Sequence, residues 1–597
     1  MGESWARSTM PHEKGIADSD LVVPLAKLNA QAAIMIYSPL NQDEIRLIKL
    51  HRGKQDDMIR CSMSIVQQHK APSFEALSYV WGTCANPKTI LLNGIQYRIT
   101  QRLQEAMLYL RSSSKDRLLW IDALAINQSN TPERNTQVAK MQIIYSLATT
   151  VLIWLGPFKE SDEVLFREIN QINGFAMSRG IDIDGHSWMA RLNDKEREHQ
   201  VVGLWKIAMM DYWTRVWVVQ ELMYARQVEV VLGSQSLTFA ALSLYWNAVS
   251  TYLHDTEGKS DRLLPNNICT QTLKMMGLNS MPEPGAALQQ QFLSLEQWLD
   301  MVPLKRCSDP RDMIYGFHGC FPPNLRNRIP IDYSKRVDEV FVLMTILIIE
   351  TSNQLDIILL GVHDTSPVAA HRQNRPSWVP DFQHIAMDRE MFKVLSARAT
   401  GSLKPDYSFK NDNTILCTKG IELGIIQRMS PTIRYSDYAE RLVSASPSQE
   451  IIEHLRHIFQ ILEVSSEPLE STLQLVVAFS RNVATTELLI SLLIGDYVPQ
   501  LDCKVALMLR EFTEGNQIFS IRGKIAQNHT IYGIAACQLR EGDHIYLLLG
   551  CKVPVILRQV EEQYSVVGWG YIPEHIWREA VRGIELGVEG PIDVLIC

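Results

Sequence analysis

The sequence predicts an α/β protein. A doubly wound, mostly parallel sheet flanked by helices should occupy the first half, with a helical region and a small β-rich C-terminal module after it. Three observations point there. Leu118–Gln128, LLWIDALAINQ, is a wholly apolar run that stops abruptly at Asp122 and the amides Asn127 and Gln128. Apolar runs of this kind read as buried parallel strands, and polar groups just past their carboxyl ends stand where open α/β sheets hold ligands. Strand-like and helical patterns then alternate through TVLIWLG (Thr150–Gly156), the order of a βαβ series. The end of the chain changes to strand-like runs separated by Gly, Asp and Glu.

The elements follow in order. Residues 1–30 read as a flexible leader. IRLIKL and IRCSMSIV are short strands from about Ile45, FEALSYVWG the next, and TILLNGIQYRIT a hairpin turning at Asn93-Gly94. Leu103, Ala106, Met107 and Leu110 recur at helical spacing. Thr131-Pro132-Glu133 reads as a helix start, with a capping hydroxyl, proline in the first turn and an acid at the positive end of the dipole. Val138, Met141, Tyr145 and Ala148 give that helix its buried stripe.

Residues 157–205 look like a helical and polar insertion, Tyr212–Ala225 like one helix, and VEVVLGSQSLTF like a strand pair turning at Gly233. Together 45–245 form the expected domain, with its core over 75–225. The polar stretch Asn247–Gln291 is the candidate boundary, and 290–400 should be mainly helical, including Leu293–Met301 and Val337–Leu360. GIELGIIQRM, DHIYLLLG, VPVILRQV and YSVVGWGYI place the β-rich module over 405–590, with a helical insertion at 436–512.

Bulk properties limit the function classes. At 597 residues the chain is long for one core, so two or more domains are expected. With 46% hydrophobic and 21% charged residues it reads as globular. A net charge of −8 gives no global basic field for nucleic acid or an anionic membrane, although it leaves room for a local basic patch. The ten cysteines form no CxxC pair and no zinc-like cluster, so they read as small apolar residues in a reduced compartment. The longest apolar stretch, Leu343–Val362, is interrupted by Glu350, Asn353, Gln354 and Asp356, too polar for a membrane span. The chain reads as cytoplasmic.

Four groups are candidates for chemistry. Asp122, at a strand's carboxyl end, suits a ribose hydroxyl or a proton; its plain role is a cap or a partner for Arg134 or Lys140. Glu221 lies at i+4 and i+8 from Trp217 and Trp213, so on one helix the three share a face and the indoles desolvate the carboxyl. That suits a general acid or base; the plain reading is a core of tryptophans with Glu221 reaching a basic partner, for which Arg215, on another helix face, is not the obvious local choice. Tyr79, Trp81 and Gly82 end a strand in two aromatics and a turn, fit to stack on a base or to fill core. Asn127 and Gln128 suit a ligand's polar edge or the backbone of a turn. Gly258-Lys259-Ser260 fails as a P-loop because Leu253 stands where a glycine is required. Asp309-Pro310-Arg311-Asp312 reads as a helix-start network rather than a metal site, and no metal is expected.

FEALSYVWGT, LLWIDALAINQSNTPERNTQVAKMQIIYSLATTVLIWLG and YWTRVWVVQELMYA resemble, in order and spacing, the three blocks of the fungal heterokaryon-incompatibility (HET) domain. CSDPRDMIYGFHG, IDYSKRVDEVF, PSWVPDF and GDHIYLLLGCKVPVILR are similar to the region that follows it in such proteins. The resemblance implies a TIR-like fold and a part in non-self recognition and regulated cell death, with self-association and an incompatibility partner. One departure stands out: Ala125 occupies the position of the family's usual cysteine, expected to be a packing position.

Three functions compete. One is a death-inducing recognition protein acting by association. The second, by analogy with TIR domains, is an enzyme hydrolysing NAD, with Glu221 on the ribose and Asp122, Tyr79 and Trp81 shaping the pocket; NAD would be its substrate, and no bound cofactor is otherwise implied. The third is an accessory or regulatory protein of a fungal metabolic gene cluster.

Overall fold

The computed structural model describes residues 25–158, 162–179, 188–255, 281–360, 375–385, 403–432, 516–523, 530–535, 537–572, 574–587 and 590–597. Residues 1–24 of the leader, Gly258-Lys259-Ser260 and the 436–512 insertion lie outside them. The chain divides into two compact units, Met1–Lys335 and Arg336–Cys597.

The first unit is built on nine strands: β1 (Glu44–Leu50), β2 (Arg60–Gln67), β3 (Glu75–Tyr79), β4 (Lys88–Leu92), β5 (Ile95–Ile99), β6 (Arg117–Trp120), β7 (Thr150–Gly156), β8 (Val228–Leu232) and β9 (Gln235–Thr238). They lie in the order β5-β4-β2-β1-β6-β3-β7-β8-β9. The sheet is mixed. Its centre, β6-β3-β7-β8, is parallel throughout, while β1–β2, β1–β6, β4–β5 and β8–β9 are antiparallel. Numbered among themselves, the four parallel strands run 2-1-3-4, the start of the flavodoxin-like order, whose switch point lies between the first and third strands. Here those are β3 and β7.

Local chemistry accounts for the elements. Asn93 (φ 52°) and Gly94 (φ 80°) both sit in the left-handed region that a two-residue hairpin turn demands. The helix Gln101–Leu110 buries Leu103, Ala106, Met107 and Leu110 and is capped by Thr100. The helix Thr131–Ala139 takes Pro132 in its first turn, but its cap is Asn130, which accepts from Glu133 N, and not the expected Thr131 hydroxyl. The chain breaks at Lys140 before a second helix, Met141–Leu147. The expected single helix over Tyr212–Ala225 is also two pieces, a 3₁₀ turn Asp211–Thr214 and the helix Val218–Met223. The break has a tertiary cause: Val216 N donates to Arg306 O and Arg306 N to Thr214 O, pulling the backbone at 214–216 out of the helix.

The loop after β6 is held by a buried ion pair. Arg46, on β1 and 1% exposed, donates through both terminal nitrogens to Glu133 at 2.6 and 3.0 Å. Arg46 also donates to Ala125 O at 3.0 Å, while Glu133 accepts from Asn127 N at 2.8 Å. Ala125 itself is 1% exposed, a packed position.

The second unit begins with the helix Val337–Ser352 and continues into strands β10 (Tyr407–Lys410), β11 (Ile415–Met429), β12 (Gln517–Gly523), β13 (Thr530–Ala535), β14 (His544–Leu548), β15 (Val555–Val560), β16 (Gln563–Tyr571) and β17 (Ile592–Ile596). The path β11-β12-β13-β16-β15-β14 returns to β11, closing an antiparallel six-stranded barrel. Leu423, Phe519, Ile521, Ile545, Leu547 and Ile556 are among its core. Trp577, on the helix Glu574–Glu585, packs against that core.

Replacing Glu133 by glutamine should destabilise the first unit by about 3 kcal/mol, because it strands the buried Arg46 guanidinium. The check is the denaturant midpoint of that unit, falling without a change in slope.

Candidate functional site

The carboxyl ends of the parallel strands carry the residues in question. Ser78 and Tyr79 close β3, and the chain then passes through Val80 and Trp81 to Gly82. Asp122 opens a four-residue helix directly after β6. Glu221 comes from the helix Val218–Met223.

Glu221 is 1% exposed. Ser78 Oγ donates to its Oε2, and the Arg215 guanidinium lies 3.5 Å from its Oε1. Tyr212 Oη stands 2.6 Å from Ser78 Oγ, so with the serine proton directed to Glu221 the tyrosine donates to the serine. Arg215 is thus the partner of Glu221 after all, because the break at 214–216 removes the helical geometry that would have set them on different faces. The two tryptophans serve elsewhere: Trp213 Nε1 donates to Ile207 O at 2.8 Å and Trp217 Nε1 to Asp312 Oδ2 at 3.2 Å.

Asp122 is 8% exposed. Its Oδ2 accepts from Trp81 Nε1 and its Oδ1 from Ala123 N, at 2.8 and 2.7 Å. Neither Arg134 nor Lys140 is its partner: Arg134 stacks on Tyr333 at 3.7 Å and Lys140 reaches Gln42 O. Burial pushes the Asp122 carboxyl up to about 6; the Arg215 charge opposes this, as does the Trp81 hydrogen bond, while Glu221 reinforces it. The Tyr79 and Tyr145 hydroxyls are raised well above 10, first by burial and then by the same two carboxylates. One electrostatic cluster therefore contains Asp122, Glu221, Arg215, Tyr79 and Tyr145. Tyr145 Oη, Trp120 Nε1 and Arg215 Nη1 are buried in the first unit without a hydrogen-bond partner.

The amides have backbone duties. Asn127 Oδ1 accepts from Ser129 N and Gln128 Nε2 donates to Asp122 O, both at 3.2 Å. Tyr79 is core, 1% exposed, whereas Trp81 remains 39% exposed over Asp122.

Two contributors were not foreseen. Ser78, one small hydroxyl in an apolar strand, gave no signal. Arg102 lies across the switch point: a Cβ on Gly82 (φ +72°) would fall 2.7 Å from Arg102 Cγ, and one on Gly156 would fall 3.7 Å from its Nη1. Gly82 therefore has both a conformational and a steric reason to be glycine. Arg102 sits on the exposed side of its helix and reads in sequence as an ordinary solvated cation. Among the described residues no group of three or more His, Cys, Asp or Glu could hold a metal ion, and none of the eight described cysteines forms a disulfide. No described helix is long and apolar enough to cross a membrane.

Residues 74–221 match the family model described as "Heterokaryon incompatibility protein (HET)". A curated relative, "Heterokaryon incompatibility protein 6, OR allele" of Neurospora crassa, is 35% identical over 127 residues. That alignment takes in 19% of this chain and 19% of the relative, so most of either chain lies outside it. No solved structure matches.

Trp81→Phe should raise the Asp122 pKa further above about 6, since it deletes a donor to the ionised form. Carboxyl carbon chemical shifts against pH are the check. The accompanying loss of stability, on the order of 1–2 kcal/mol where Asp122 is ionised, should shrink once the pH falls below that value. Lys305, 2% exposed and donating to Trp213 O at 2.8 Å, supplies a second expectation. Burial lowers its pKa from 10.5 to about 7. Between those values the unfolded chain holds a proton that the folded one does not, so stability rises with pH across that window. Lys305→Met should flatten the rise, seen as Tm plotted against pH.

Proposed function

From the match of residues 74–221 to the heterokaryon-incompatibility (HET) family model, we propose that the chain is a HET-domain protein taking part in heterokaryon incompatibility. The finer reading is a non-self recognition protein whose HET domain drives regulated cell death by associating with itself and with an incompatibility partner. One observation supports association over chemistry. Every carboxylate oxygen of Asp122 and Glu221 already has a partner within the domain: Trp81 and Ala123 for the one, Ser78 and Arg215 for the other. Such a cluster holds the three sequence blocks in register, and leaves signalling to the surfaces around it.

A TIR-like hydrolysis of NAD is the second reading. On its side stands the meeting of Trp81, Gly82, Asp122 and Arg102 at the carboxyl ends of β3, β6 and β7, where doubly wound sheets bind ligands. Fold analogy alone does not establish an activity.

Expression of the full chain and of Glu221→Gln in a fungal host separates the two, with NAD level and colony viability both followed. Glutamine keeps an acceptor for Ser78 and the shape of the side chain. Death that persists in the variant with NAD unchanged supports association. Loss of death together with loss of nicotinamide release, in a variant that keeps its wild-type Tm, transfers the role to catalysis. No death from the wild-type chain in a compatible host paired with a reactive strain would overturn the incompatibility reading.

A further inference from the structure

At the opposite end of the same sheet lies a cleft of about 780 Å³ lined by His51, Arg52, Arg60, Lys115 and Asp116. Its residues come from the end of β1, the start of β2 and the turn before β6. Since β1 runs antiparallel to β6, all three points fall at the amino end of the parallel strands. We propose that this cleft is a binding site for a phosphate-bearing anion.

The walls are built rather than incidental. Arg111, 9% exposed, donates to Asp57 O at 2.9 Å and Gln55 O at 3.1 Å, and Gly53 N donates to Ser112 O at 3.1 Å. These bonds pin the 52–58 loop to the 111–116 turn. Asp57 is not among the lining residues, and its Oδ2 accepts from Lys54 N at 2.8 Å. Asp116, the one carboxylate in the lining, is already engaged. Its Oδ1 accepts from Arg52 N at 2.9 Å, and its Oδ2 lies 3.5 Å from His51 Nδ1. These contacts hold its pKa below the ordinary value, led by the Arg52 amide, so it stays an anion and an acceptor. His51 Nε2 meets Ser62 Oγ at 2.6 Å, leaving the ring no spare nitrogen.

The cations are different. Arg60 and Lys115 have no ion pair or side-chain hydrogen bond among the described residues, and Arg52 offers only a 3.4 Å contact from Nη1 to Ser114 O. Lys49, two residues before His51 on the same face of β1, adds its field at Asp116. Three cations converge on a concavity whose one acid is already hydrogen-bonded, in a chain whose net charge is −8. A concentrated positive patch on an acidic protein raises the local concentration of anions and orients them. Phosphate is the anion that guanidinium and ammonium groups grip best together, the first through paired donors and the second as a point charge. The volume falls within the range of small-ligand sites, room for a group with two or more phosphates. That chemistry belongs equally to a free phosphorylated metabolite and to the phosphorylated headgroup of a lipid.

The test is calorimetric titration of the full chain with sodium tripolyphosphate. Saturable binding that weakens as sodium chloride rises is expected, and Arg60→Glu with Lys115→Glu should raise the apparent Kd at least roughly tenfold, each change deleting an attraction and adding a repulsion. Arg60→Gln with Lys115→Gln should show a smaller loss in the same direction, and covers the case in which the reversed charges unfold the chain. A second arm mixes the protein with phosphatidylcholine vesicles with and without phosphatidylinositol bisphosphate. Sedimentation on the phosphorylated vesicles, competed by tripolyphosphate, identifies the headgroup as the source. Binding in solution without sedimentation identifies a free anion. Either supports the site. No saturable heat and no sedimentation, or equal binding by folded charge-reversed protein, overturns it.

Discussion

A carboxylate cannot be buried at 1% exposure without donors to replace water, and Glu221 imposes that condition on the whole first unit. Ser78 answers it from β3 and Arg215 from the segment before the helix. The consequence reaches beyond the matched family range of 74–221. The six-residue helix bearing Glu221 is too short to hold itself, so its position is set by neighbours. Gly319 N donates to Gln220 Oε1 at 2.8 Å, Trp217 bonds Asp312, and Val216 N bonds Arg306 O. Asp312 is in turn held by Tyr333 Oη at 2.6 Å, and Tyr333 is stacked beneath Arg134. The acid at the centre thus depends on residues 305–333, which clamp the last of the three blocks against the helix Thr131–Ala139 within the middle one.

What the sequence disclosed follows the range over which each signal acts. Asn93-Gly94 is a local conformational demand, and the turn lies where it was read. Leu103, Ala106, Met107 and Leu110 form a local period, and those four are the buried residues of their helix. The parallel centre of the sheet was legible because FEALSY, LLW and TVLIWLG must be buried on both faces. The break at 214–216 was not, since Trp213, Trp217 and Glu221 satisfy helical spacing and the hydrogen bonds from Arg306 come from about ninety residues away. Thr131 looked like the cap because a hydroxyl before proline is a strong local signal, yet Asn130 supplied the acceptor one residue earlier. Asp309-Arg311 was read as a structural network, and the pair does close at 2.7 Å.

The second unit shows the same limit from the β side. Its strands announced themselves as short apolar runs, but closure did not. β11 pairs with both β12 and β14, its register shifting at Glu422/Gly424 and at Ile426/Arg428. Those bulges bend a fifteen-residue strand sharply enough to close the ring. Small residues complete the fit: a Cβ on Gly533 would fall 2.3 Å from the ring of Phe519 in the barrel core. A closed ring removes the exposed edges of its own six strands, while β10, paired with β11 alone, keeps one open side.

Strand direction gives the two ends of the first sheet different chemistry. At the carboxyl end, negative charge is gathered and then neutralised internally by Arg215, indole and backbone donors, with little left for solvent. In the cleft at the amino end the single lining acid, Asp116, is satisfied and the Arg60 and Lys115 side chains are not. Internally cancelled charge fixes structure, because both partners lose by separating. Uncancelled charge on a pinned concave wall does the opposite: it leaves a field pointing outward, and a field of that sign is completed only by an anion from outside.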